Sequence, residues 1–68
     1  MQTDIFSALM AAIGVTDRLL EMKTLTALER QKTTAIRNGL IGSKGIAFTL
    51  RDLTVEEPKT PDTTTNAA

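Results

Sequence analysis

Residues 9–22 read LMAAIGVTDRLLEM (Leu9–Met22): an apolar helical run meets Gly14-Val15-Thr16 and then resumes. If the chain turns there, two short helices pack against each other; if not, a single helix carries both halves. Upstream, Ile5, Phe6, Leu9, Ala12 and Ile13 share one face at helical spacing, and Leu20 joins them if the helix runs straight. Downstream, Met22, Leu25, Leu28, Ala35 and Ile36 form a second stripe. At about 100° per residue it is rotated by roughly half a turn from the first. One straight helix would have to bury both sides, so the chain must break.

Gly14 can end a first helix, with Thr16 or Asp17 capping the next, and Thr24 or Thr26 can cap a further one. Thr26-Ala27-Leu28-Glu29 is a complete capping box. Thr3 is the expected first N-cap, with Asp4 near the positive end of the helix dipole. These signals predict helices over 4–13, 16–23 and 26–38. A hairpin turning once near 22–26, with Gly14 inside the first helix, accommodates the same stripes.

Asn38-Gly39 is a natural helix stop. Beyond it the period changes: Ile46, Phe48 and Leu50 alternate with Ala47, Thr49 and Arg51, and Gly42-Ser43-Lys44-Gly45 separates them from Leu40-Ile41. A short β-hairpin or a single strand is expected here. Two strands alone are not stable in water, so the ribbon must lie on the helices or pair with another chain. The ordered domain is expected to span 1–55. Residues 56–68, with two prolines, acidic residues and a Thr run, hold no large apolar side chain and are expected to form a disordered tail. Thr54-x-x-Glu57 has capping-box spacing, but Pro58 follows at once.

A 68-residue chain buries little surface and needs help to be stable. Disulfides and conventional metal sites are hard to supply, because Cys and His are both absent. Self-association or a protein partner remains. Net charge is zero but segregated: −1 over 1–23, +4 over 24–51 and −3 over 52–68. A basic centre can meet an acidic partner or the chain's own acidic tail. The MQTD start lacks signal-peptide character and no apolar run approaches the ~20 residues of a membrane span, so a cytoplasmic or virion location is expected.

Without His, Cys or Tyr, nucleophilic catalysis would rest on Ser7, Ser43 or a Thr with a Lys or carboxylate base, and no spacing arranges these. Gly-Ser-Lys-Gly at 42–45 lacks the full phosphate-loop pattern. So short a chain hardly encloses a pocket for acid–base work. No enzyme activity, cofactor, metal site or small-molecule substrate is expected.

Leu9, Ile13, Gly14, Val15, Thr16 and Leu20 together resemble the helix-turn-helix pattern of bacterial and phage regulators, over about a fifth of the chain. Met10 stands where that pattern has a small residue, and Lys23 where it has an apolar one. The resemblance implies that Thr16, Asp17, Arg18 and Glu21 lie in or beside the major groove. It also implies a β-wing over 40–50 with Lys44 near its tip. Arg30 and Arg37, seven apart with Thr33 and Thr34 between them, form a polar face that can ladder along phosphates. Two of the four groove residues are acidic, however, and DNA affinity comes mainly from Lys and Arg.

The sequence therefore points to a mainly α protein of two or three short helices, followed by a small hairpin or strand and a tail. The expected role is non-catalytic binding to protein, by self-assembly or as an accessory subunit of a larger assembly such as a phage particle. A small winged or plain helix-turn-helix DNA-binding regulator is the alternative, with Thr16, Arg18, Arg30, Thr33, Thr34, Arg37 and Lys44 as its contact residues. The expected protein interface comprises Leu25, Leu28, Ile36, Ile46, Phe48 and Leu50. Lys32 belongs to it as well: it falls inside the apolar stripe, where it can snorkel or set register.

Overall fold

The computed structural model describes residues 2–56. Helix α1 spans Ile5–Leu20 and α2 spans Ala27–Phe48, flanked by strands β1 (Gln2–Asp4) and β2 (Thr54–Glu56). The chain is thus a helical hairpin whose ends are tied by a short antiparallel ladder pairing Gln2 with Glu56, Thr3 with Val55 and Asp4 with Thr54. The Thr54 hydroxyl also donates to the Gln2 side-chain oxygen at 3.1 Å.

The N-cap of α1 is Asp4, one residue later than expected. Its carboxylate accepts from the Ser7 backbone N–H at 2.9 Å and the Ser7 hydroxyl at 2.8 Å. Thr3 is released to the strand, where it faces Val55. The Thr26 capping box is present in both directions: Glu29 N–H donates to Thr26 Oγ1 at 3.1 Å, and Thr26 N–H to Glu29 Oε1 at 2.9 Å.

Two expected breaks are absent. The chain runs helically through Gly14-Val15-Thr16, so helices over 4–13 and 16–23 are replaced by α1 and the turn is confined to residues 21–26. A mid-helix glycine costs only about 1 kcal/mol relative to alanine, less than giving up a turn of helix between good formers. Asn38-Gly39 does not end α2 either, and the β-hairpin over 40–50 is not formed. No described glycine has a positive φ, so 39, 42 and 45 are ordinary helical positions and Lys44 sits on α2 rather than at a wing tip. Helical continuation supplies backbone hydrogen bonds that an isolated ribbon could not hold in water. It also brings Phe48 against Phe6, edge to face, with ring centroids 5.2 Å apart.

After Phe48 the helix tightens, with Thr49 N–H donating to Ile46 and Leu50 N–H to Ala47, both at 3.0 Å. The guanidinium of Arg51 lies 4.1 Å from the Phe48 ring centroid and donates to the Phe48 carbonyl. The strand at 54–56 was not foreseen, because three residues are too few to show a period. Glu56 lies in that strand, one residue past the expected domain limit. The expected tail from residue 57 onward lies outside the described residues.

Candidate functional site

Helix α1 packs through the stripe its sequence advertises, with Ile13 buried and Phe6, Leu9, Ala12 and Leu20 half-buried, but α2 does not. Toward α1, α2 presents buried Thr33 and Ala47 and half-buried Arg30, Arg37 and Leu40, while Leu28 and Ile36 are each 58% exposed and Ile46 70%. Among the described residues the buried apolar side chains are Ile13 and Ala47, joined inside by Thr16 and Thr33. Both threonines satisfy their hydroxyls within their own helix: Thr16 donates to the Ile13 carbonyl at 2.6 Å and Thr33 to the Glu29 carbonyl at 2.8 Å. Each can therefore enter the helix–helix contact without stranding a polar atom.

The arginines expected to line phosphates instead bridge the helices. Arg30 donates to the Leu20 carbonyl at 2.6 Å and the Met22 carbonyl at 3.1 Å. These oxygens belong to the end of α1 and the turn after it, where carbonyls lack helical partners and the dipole is negative. Arg37 Nε donates to Asp17 at 2.5 Å in a half-exposed ion pair. Thr16 and Thr33 are buried and unable to reach a duplex, whereas Arg18, Thr34 and Lys44 are exposed. The expected ladder on the outside of α2 is thus corrected: Arg30, Thr33 and Arg37 face inward, because α1 ends in acceptors that a long cationic side chain can satisfy.

Of the expected interface residues, Leu28, Lys32, Ile36 and Ile46 are exposed and Leu25 is half-buried in the turn. Phe48 packs on Phe6, and Leu50 lines an apolar groove of about 390 Å³ with Ile5, Ala8, Leu53, Val55, Thr3 and Asp4.

The contacts distinguish the two broad sides of the hairpin. At about 100° per residue, Met10 and Asp17 lie to one side of the direction in which α1 meets α2, and Ile5, Ala8, Ala12, Val15 and Leu19 lie to the other. On α2, Arg30, Arg37 and Phe48 lie to one side, and Lys32, Ile36 and Ser43 to the other. Asp17–Arg37 and Phe6–Phe48 join the first sides into one face. The remaining face holds Ile5, Ala8, Ala12, Val15, Leu19 and Ile36, with exposed Lys32 and Ser43 on its α2 side, and it continues into the groove through Ile5 and Ala8. The sequence stripes included Ile5, Ala12 and Ile36 and missed Ala8, Val15 and Leu19. The 3-4-3-4 spacing of Ile5, Ala8, Ala12, Val15 and Leu19 was present, but the neighbouring Phe6, Leu9 and Ile13 masked it.

Two carboxylates on the structure sit below the usual carboxylate range, and neither belongs to a reactive cluster. Asp4 is lowered first by the Ser7 backbone N–H and Glu29 first by the Thr26 backbone N–H, each with help from the same residue's hydroxyl. Among the described residues no group of three or more acidic side chains is placed to hold a metal ion, and no helix is long and apolar enough to cross a membrane. No protein-family model, curated protein or solved structure matches the chain.

Proposed function

We propose that this chain acts by protein–protein association, without catalysis, as a self-assembling protein or an accessory subunit of a larger assembly. The observation that carries this reading is the mismatch between stripe and contact on α2. Its polar Arg30–Thr33–Arg37 side faces α1, and its apolar Leu28 and Ile36 face outward. Exposed apolar surface on this scale in so small a chain marks an interaction site. With Ile13 and Ala47 as the buried apolar residues described, the hairpin lacks the core that would offset its ordering entropy.

Mass in solution, measured with and without duplex DNA at physiological salt, tests the reading. Association into a defined species without DNA is expected, together with no duplex binding tighter than the tens of micromolar typical of non-specific contact. Nanomolar, sequence-selective binding would replace it with the DNA-binding alternative, whose exposed candidates are Arg18, Thr34 and Lys44.

A further inference from the structure

We infer that the face formed by Ile5, Ala8, Ala12, Val15, Leu19 and Ile36 is closed by the same face of a second copy, giving a two-fold dimer of stacked hairpins. The inference rests on the association reading above and names its partner and its surface.

Four observations select this occupant. Among the described residues α1 and α2 lie side by side as one layer of helices, where a stable domain has two. An identical hairpin supplies the missing layer if the patch is self-complementary, as a two-fold interface requires. The 3-4-3-4 spacing along α1 is the coiled-coil seam, and Ala8 and Ala12 leave holes beside Ile5, Val15 and Leu19 for the partner's larger side chains.

The area also fits. Exposed Ile5, Val15, Ile36, Leu53 and Val55, with the smaller and half-buried residues between them, offer roughly 600–800 Å² of apolar surface, close to the ~800 Å² per partner of a standard interface. The chain is net neutral and Asp17, Arg30 and Arg37 are engaged on the opposite face, while Lys32, exposed on this side, stands at the α2 edge, where its stem can pack and its ammonium stay in water. The groove lined by Ile5, Ala8, Leu50, Leu53 and Val55 opens beside the seam and would be covered by the same pairing. The competing surface is the outer ridge of α2, where Leu28, Ala35, Gly42 and Ile46 are exposed.

The chain has no cysteine, so single thiols can be placed at will. The experiment uses the full chain carrying Val15→Cys, Gly42→Cys or Thr34→Cys. It measures mass in solution and the rate of reaction with a maleimide, at assembling concentration and after dilution. A dimer is expected, in which the thiol of Val15→Cys reacts at least tenfold more slowly than that of Thr34→Cys and loses its protection on dilution. Ala8→Cys, in the same seam, gives a second reading should Val15→Cys loosen the pairing. An oligomer protected at Gly42→Cys, or unprotected at both Val15→Cys and Ala8→Cys, overturns this face while leaving association intact. A monomer at every concentration overturns this face and the self-assembling form of that reading together, leaving only the accessory-subunit form.

Discussion

The guanidinium of Arg30 reaches back ten residues to the carbonyl of Leu20, 2.6 Å away, and so closes the C-terminal end of α1 with a side chain from the first turns of α2. A second bond to Met22 at 3.1 Å fixes the turn between the helices as well. Arg30→Ala leaves these acceptors to water and should lower stability by about 1.5–3 kcal/mol in urea denaturation, the range for hydrogen bonds with a charged group. Arg30→Lys should recover only part of this, because an ammonium cannot hold two carbonyls in the planar fork of a guanidinium. Full recovery by Lys would show that charge at the helix end, rather than geometry, is what matters.

Phe6 and Phe48 join the N-terminal end of α1 to the C-terminal end of α2, and their edge-to-face contact is the feature that the helical reading of 46–48 creates. A double-mutant cycle with Phe6→Leu and Phe48→Leu should give a coupling of about 0.5–1.5 kcal/mol. Zero coupling would mean that the rings do not meet, as in the β-hairpin arrangement.

Gly14 lies within α1, and a Cβ there would meet only the Arg18 guanidinium nitrogen, at 3.8 Å. Gly14→Ala should therefore stabilise the protein by about 0.5–1 kcal/mol. A destabilising result would restore a turn at this position. Gly42 has nothing within 4 Å, so Gly42→Ala should stabilise by a similar amount. A loss there would place another chain against the outer ridge of α2.

Acid should weaken the fold through its two capping carboxylates. Asp4 and Glu29 are both lowered by backbone and hydroxyl donors in the folded state. Their contribution is complete above the unfolded carboxylate value and is lost as pH falls through the lower folded value. The window lies below about pH 4. Asp4→Asn combined with Glu29→Gln should flatten the stability–pH curve there and leave its shape near neutrality unchanged. An acid limb that persists in full in the double variant would assign it to other carboxylates.

Local chemistry was legible where a single interaction decides the outcome, as with Thr26 and Glu29, whose reciprocal hydrogen bonds need only four consecutive residues. The second stripe, with Leu28 and Ile36, was also legible, but its direction was not. Periodicity marks an apolar side without saying whether that side meets the next helix or another molecule. The breaks at Gly14 and Gly39 failed for a different reason. Glycine permits a turn without requiring one, and the contact of Phe48 with Phe6 is a long-range gain that no local window contains. Arg30 and Arg37 looked solvated because their inward partners, the Leu20 and Met22 carbonyls and Asp17, become available only when α1 ends where it does.

The dependence of thermal unfolding on protein concentration tests the central claim most directly, since a fold completed by a second copy unfolds with dissociation. Followed by helical circular dichroism over a hundredfold range of concentration, the midpoint should rise by roughly 5 °C for each tenfold increase, as expected for a small dimer whose stability is set by mass action. A midpoint that stays constant across that range, in a chain that sediments at its monomer mass of 7.4 kDa, would contradict the account.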